Sequence, residues 1–238
     1  MSDILVISSA YTTDAGRWRL FRDSCARFSV PVHMFGVGDP NYPAMEGIRN
    51  YVEFLKGRDE KYILGTDAYD VICNRWDEVE LRFIIDSAPH VVMSVEPLVW
   101  PVGYDEVYSR VPSHYSWRAI NGGQYCGRRE QMLEVWEETW RRWQNGDATN
   151  GGTSQEILHQ MFRAGFAFTL DLQCRVFQSM IGAPAKFIEC RSISSFTSGE
   201  QLVAAHAYNT VTKSIPMFLH FNGQAPGLQE WGDRLLSL

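Results

Sequence analysis

The stretch YILGTDAYDVI, residues 62–72, is an apolar run that stops at two aspartates, Asp67 and Asp70, with Tyr69 between them, and then resumes. No basic residue stands beside the pair. Read as a buried strand, Tyr62 to Gly65 delivers both carboxylates to its carboxyl end, where open α/β sheets bind ligands. Carboxylates at i and i+3 can turn toward one point, and there they repel, so that one takes up a proton unless a cation intervenes. Hard oxygen ligands suit Mg²⁺ or Mn²⁺, which keep open positions for substrate phosphates. The plainer reading makes Asp67 a turn cap and Asp70 a solvated acid. A DxxD alone does not choose between them.

Outward from that stretch, short apolar runs alternate with segments of helical spacing. Ile4 to Ser8, Val32 to Phe35 and His90 to Ser94 read as strands. Arg17 to Phe28, Ile48 to Lys56 and Trp76 to Ile85 read as helices, the second ended by Gly57. GVGDPNYP, which follows the second strand, is a loop. This alternation implies an α/β sheet that is at least partly parallel. Further on, Arg129 to Trp143 predicts an amphipathic helix with Leu133, Trp136, Trp140 and Trp143 on one side. A Gly, Asn and Thr-rich loop over 145–154 comes next, then a helix from Gln155 to Phe162. FTLD and CRVFQ flank a turn, and MFLHFNG (217–223) is a late strand. No linker is evident, so residues 1–238 are expected to form a single domain.

Composition narrows the class. Of 238 residues, 45% are hydrophobic and 13% aromatic, enough for a core and inconsistent with disorder. The start of the chain lacks the basic and apolar regions of a signal peptide, and no apolar run is long enough to span a membrane. The five cysteines are dispersed, without CxxC spacing, which disfavours a zinc site and fits a reducing, cytoplasmic setting. Twenty-two basic against 28 acidic residues give a net charge of −6, which argues against nonspecific nucleic-acid binding. No GxGxxG or GxxxxGK[ST] follows the first strand.

Six segments carry a resemblance: TDAYDVI (66–72), MSVEPLVWP (93–101), INGGQYCG (120–127), SQEILHQMF (154–162), LDLQCRVFQ (170–178) and LHFNG (219–223). In order and spacing they resemble the GT-A glycosyltransferase domain of the lysyl hydroxylase and procollagen glycosyltransferase group. The resemblance implies a GT-A, Rossmann-like fold: a mixed, mostly parallel central sheet flanked by helices. It implies a metal-dependent hexosyltransferase that takes UDP-glucose or UDP-galactose and a hydroxyl acceptor, with retention of configuration.

Roles follow from the matching positions. Asp67, Asp70 and His220 match the ligands of Mn²⁺ (or Mg²⁺), in a segment that opens at Thr66. Tyr69 matches a tyrosine that packs on uracil. Asn222 and Gly223 complete the HxNG match at the nucleotide. Glu96 and Trp100 match residues near the donor sugar and acceptor, and Asn121 and Gly123 match a motif beneath the sugar. Ser154, Gln155 and Asp171 match further positions of the reacting centre. Each has a plainer alternative: a core histidine for His220, a buried hydrogen-bonded acid for Glu96, a core aromatic for Trp100, a turn for the glycines, a cap for Asp171.

Three departures stand against the resemblance. The family's acidic run before Gln155 is replaced by Thr153 and Ser154, so that hydroxyls or Asp147 would have to serve. A lysine expected beyond HxNG is replaced by Gln224, Ala225 and Pro226. A lysine near the second helix is absent, with Arg49 the nearest cation. Two other functions stay open: sugar transfer to a hydroxymethylated DNA base, for which GRR (127–129) and WRRW (140–143) supply local charge, and a non-catalytic sugar-nucleotide binder.

Overall fold

The computed structural model describes residues 3–10, 15–39, 42, 46–111, 116–149, 153–182, 186–197, 200–223 and 225–236. A six-stranded sheet organises them, in the spatial order β2 (Val32–Phe35), β1 (Ile4–Ser9), β3 (Tyr62–Thr66), β6 (Ala119–Arg128), β5 (Val92–Glu96), β7 (Thr169–Leu170). The β1–β2, β1–β3 and β5–β7 pairs are parallel, and β6 runs antiparallel to both its neighbours. The sheet is thus mixed and mostly parallel, as the resemblance implies.

Period-2 alternation divides the core between the two faces. Ile4 and Val6 of β1 join Leu64, Val92 and Cys126 on one side, packed by Phe21 and Cys25 of α1 (Arg19–Arg27) and Leu81 and Ile85 of α3 (Glu78–Ser87). Leu5 and Ile7 join Ile63, Met93 and Tyr125 on the other. There they meet α2 (Glu46–Lys56), α5 (Arg129–Gln144) and α6 (Ser154–Arg163). In α5 the fully buried row is Met132, Val135, Trp136 and Thr139, while Leu133, Trp140 and Trp143 flank it half-buried.

Several boundaries differ from the sequence reading for local reasons. The third helix starts at Glu78 because Asp77 caps it, its carboxylate accepting from the Glu80 amide at 2.9 Å. The fourth sheet strand runs on to Glu96, which therefore ends β5. Ser154 belongs to α6, not to the preceding loop, because Thr153 supplies the N-cap. Residues 150–152 of that loop, 40, 41 and 43 of GVGDPNYP, and Gln224 lie outside the described residues.

A three-stranded sheet lies beside the main one: β4 (Val71–Cys73), β11 (Phe218–His220) and β8 (Phe177–Ser179), with β11 central. β4 follows Asp70 directly, and His220 pairs with Val71, so this small sheet carries a late histidine to the end of β3. A hairpin of two ten-residue strands, β9 (Ile188–Thr197) and β10 (Glu200–Asn209), and α7 (Leu228–Leu236) follow, with α4 (Asp105–Tyr108) between β5 and β6. None of the described helices is long and apolar enough to cross a membrane.

Candidate metal and substrate site

At the carboxyl end of β3 the chain turns through 67–70 and brings Asp67 and Asp70 to the same nitrogen of the His220 ring. His220 Nε2 lies 3.4 Å from Asp67 Oδ2 and 3.3 Å from Asp70 Oδ1. One ligand atom from each of the three residues falls within 4.8 Å of the others. His220 is buried, whereas Asp67 and Asp70 face outward, so the cluster opens to solvent on its carboxylate side.

The second nitrogen of His220 settles what the first can do. Nδ1 lies 3.1 Å from Asn121 Oδ1, and that oxygen also accepts from the Gly123 amide at 3.0 Å. An oxygen so placed accepts, so Nδ1 carries the hydrogen, and a neutral His220 points its Nε2 lone pair at two carboxylates. A proton or a metal cation relieves that arrangement. Burial alone lowers the His220 pKa, but hydrogen bonds to Asp67 and Asp70 and their charges raise it to about 10. Two carboxylate oxygens and one imidazole nitrogen, oriented by an asparagine behind the ring, fit a divalent cation such as Mn²⁺ in the proton's place.

Gly123 makes room for the cluster. A Cβ there would sit 2.4 Å from Asp67 Oδ2 and 2.5 Å from His220 Cε1. Its carbonyl accepts from the Asp67 amide at 2.8 Å. INGGQYCG is therefore strand, not turn, but strand with a bulge. Met93 faces Tyr125 and Ser94 faces Asn121, so Gly122, Gly123 and Gln124 stand outside the β5 ladder and reach the site. Thr66, at the end of β3, is held by the Gln124 side chain at 3.0 Å and accepts from Ser8 Oγ through its carbonyl at 2.6 Å.

Glu96 sits at the neighbouring strand end, buried and fully engaged. Its Oε1 accepts from Gln155 Nε2 at 2.7 Å and its Oε2 from Asn222 Nδ2 at 2.5 Å. Burial raises its pKa, opposed by hydrogen bonds from Gln155, Asn121 and Asn222 and by the charge of His220. Asn222 Oδ1 accepts in turn from Ser179 Oγ at 2.8 Å. Gln155 Oε1 accepts from the Gly122 amide at 2.8 Å, and its amide group also donates to the Trp100 carbonyl at 2.6 Å. One side chain thus ties α6, the β6 bulge and the segment after β5 to Glu96. Gly223, at φ +63°, turns the chain away after Asn222 in a left-handed conformation that favours glycine.

A cleft of about 320 Å³ adjoins the cluster, lined by Ser9, Asp67, Ala68, Tyr69, Asp70, Phe221, Ala225 and Leu228. Larger hollows, of about 600, 490 and 350 Å³, lie away from these acids, the first beside α1 and α7, the second beside Arg75 and Arg175 and the third beside α3 and β7.

The structure thus brings together Thr66, Asp67, Asp70, Glu96, Asn121, Gly123, Gln155, His220 and Asn222 by direct contacts, with Tyr69 on the cleft wall. Asp171 has a different environment. Its carboxylate accepts from the amides of Arg175, Val176 and Phe177 at 2.8–3.0 Å, the contacts of a turn cap. Trp100 is not a core aromatic: its ring is half-exposed, and its carbonyl makes the contacts. Thr153 spends its hydroxyl on the Glu156 amide. His159, Tyr108 and Ser179, absent from the sequence-derived set, support these groups. The i, i+4 spacing of Gln155 and His159 within SQEILHQMF was the available signal.

The arginines of GRR and WRRW are occupied by the chain's own acids. Arg128 pairs with Asp86 at 2.8 Å and Arg129 with Glu130 at 3.1 Å. Arg141 and Arg142 both reach Glu138, at 2.7 and 2.6 Å.

A family model described as the PLOD GT domain matches residues 1–228. Procollagen-lysine,2-oxoglutarate 5-dioxygenase 1 of Bos taurus is 26% identical over 230 residues, covering 93% of this chain and 30% of that protein. The human multifunctional procollagen lysine hydroxylase and glycosyltransferase LH3 is 25% identical over 232 residues, covering 92% and 30%. The chain thus spans about a third of the length of these relatives. The crystal structure of a glycosyltransferase involved in the glycosylation of the major capsid of PBCV-1 superposes with a TM-score of 0.56 at 11% identity, over 97% of this chain and 98% of that one. That likeness establishes a shared GT-A fold. With nearly its whole length matched by the family model, the chain belongs to the PLOD GT domain family of glycosyltransferases.

Proposed function

We propose that the chain, as one domain, transfers a hexose from UDP-glucose or UDP-galactose to a hydroxyl acceptor, using Mn²⁺ or Mg²⁺ held by Asp67, Asp70 and His220. The observation that carries this reading is the convergence of those three side chains at a strand end, with no arginine or lysine paired with the acids among the described residues. Held there, a divalent cation would supply positive charge to offset the negative charge growing on the departing UDP.

The protein's own groups supply the rest. Tyr69 on the cleft wall offers a ring to the uracil. Asn121 holds the His220 ring, and Gly123 leaves room for the pyrophosphate beside Asp67. Both Glu96 oxygens are taken by Gln155 and Asn222, which suits a positioning carboxylate better than a nucleophile. Front-side attack assisted by the leaving phosphate therefore fits retention better than a covalent intermediate. A cytoplasmic location belongs to this proposal.

UDP release from each sugar nucleotide, with Mn²⁺ and with chelator, tests it. The proposal requires metal-dependent release; metal-independent release, or none with any UDP-sugar, contradicts it. A second reading, a binder without turnover, is favoured by Thr153 and Ser154, which stand where the family carries acids. It requires metal-dependent UDP-sugar binding with no release, including no slow hydrolysis.

A further inference from the structure

Six large apolar side chains stand exposed among the described residues: Val37, Val79, Phe83, Leu98, Trp100 and Val102. Three of the six fall within five residues, in the segment that leaves β5 directly after Glu96. Leu98 and Trp100 are each 52% exposed and Val102 75%. Between them Val99 packs on the core and Pro101 is buried, so along this bent segment alternate side chains turn in and out. An unsupported apolar loop would fold its side chains down and reduce its contact with water.

This segment is held in place by one face of α6. Gln155, His159 and Arg163, at i, i+4 and i+8, each donate to its backbone. Gln155 Nε2 and His159 Nε2 reach the Trp100 carbonyl at 2.6 and 2.8 Å, and Arg163 Nη2 reaches the Gly103 carbonyl at 2.6 Å. His159 is itself fixed, its Nδ1 bonded to the Tyr108 hydroxyl and its ring stacked on Tyr104 with centroids 5.2 Å apart. Arg163 lies over the other ring of that pair, 4.4 Å from the Tyr104 centroid. The glutamine that pins Trp100 is the one bonded to Glu96, so the exposed row is rigidly tied to the reacting centre.

We propose that Leu98, Trp100 and Val102 form a preorganised apolar rim that receives the acceptor, and that the acceptor is a neutral molecule with an apolar face beside its reacting hydroxyl. The proposal rests on the sugar-transfer reading above and names the substrate class for it. The occupant follows from position and charge. The rim continues from Glu96 without a break, and no charged side chain lies between Pro97 and Tyr104. Beyond it stand Asp105 and Glu106, and Arg163, already on the Gly103 carbonyl, pairs with Glu106, so the border keeps a net negative charge from Asp105, which disfavours a polyanion. A rim already rigid when free loses little entropy on binding, so its apolar contacts appear as affinity.

The test measures Mn²⁺-dependent UDP release from UDP-glucose and UDP-galactose, alone and with phenyl β-galactoside, octyl β-glucoside, free galactose, galactose 6-phosphate and an oligonucleotide carrying 5-hydroxymethylcytosine. The two apolar glycosides should stimulate release about tenfold more than the sugar, the phosphate or the oligonucleotide. Leu98→Ser combined with Val102→Ser should raise KM for the glycosides about tenfold, while UDP affinity reports an intact donor half. Val79→Ser, an equally exposed change on α3, should not alter that KM. The proposal is overturned if the charged acceptors stimulate as well, if no apolar glycoside stimulates, or if the double variant keeps the wild-type KM. A wild-type dimer that the double variant dissociates would assign the rim to self-association and also overturn it. Absence of metal-dependent UDP binding in the wild type would instead remove the sugar-transfer reading itself.

Discussion

Two groups of acids in this molecule have opposite surroundings. On the outer face of α3 and α5, carboxylates have guanidinium partners. Glu80 receives Arg75 at 2.6 Å and Arg175 at 2.9 Å, and Glu138 receives Arg141 and Arg142. At the end of β3, Asp67 and Asp70 both approach a histidine whose other nitrogen is already committed to Asn121, and no guanidinium pairs with them among the described residues. The first group is balanced from within the chain and contributes to stability. The second lacks that balance, and in the proposed function a bound cation supplies it.

Four outcomes sharpen or break that contrast. The largest concerns the unbalanced acids. Asp67→Ala or Asp70→Ala should reduce Mn²⁺-dependent UDP affinity by about 100-fold or more in calorimetry, since each removes a charged metal ligand. Next is the group behind the histidine. Asn121→Ala frees the ring and its tautomer, and metal-dependent UDP affinity should fall about 10-fold, within the range usual for outer-sphere partners of metal ligands. On the balanced side, Glu80→Gln leaves Arg75 and Arg175 without their shared acid. It should lower stability by about 1 kcal/mol in denaturant titration and leave UDP affinity unchanged. A loss of UDP binding there would mean that the two acid groups are not independent.

The smallest effect belongs to Glu138. Its hydrogen bond to Arg141, joined by that to Arg142, holds its carboxyl at about 2, below its ordinary value of 4.5. A carboxyl depressed in the folded state stabilises above its unfolded pKa and loses that contribution as pH falls through the folded one. Glu138→Gln should therefore lower Tm by a degree or two at pH 7. The difference should shrink below about pH 4.5 and vanish near pH 2. A difference that grows on acidification would reverse the assignment.

Much of the scaffold was legible because it depends on local pattern. The apolar runs of β1, β2 and β3 and the helical spacing of α2, α5 and α6 state their own structure. The DxxD after β3 was legible as an anomaly, carboxylates without cations, but its third member was not. His220 stands 150 positions beyond Asp70 and reaches it only because β11 pairs with β4, so family resemblance alone indicated it. β6 was obscured by its own function, for the glycines and polar residues that open its bulge erase the alternation of a strand. The β9–β10 hairpin and α7 gave no pattern that was read. Asp171 shows the limit of resemblance from the other side: a matching aspartate whose contacts here are those of a cap. The network joining Glu96, Gln155, Asn222 and Trp100 spans 126 positions between Glu96 and Asn222, and no local signal marks such contacts.

The account turns on whether one dication binds between the strand-end acids and the late histidine. Crystals grown with Mn²⁺ and UDP, measured at the manganese edge, test this most directly. The account predicts an anomalous peak bonded to Asp67, Asp70 and His220 Nε2 together, with the diphosphate completing the coordination. A peak that omits the histidine, or UDP bound with no metal between these side chains, would contradict it.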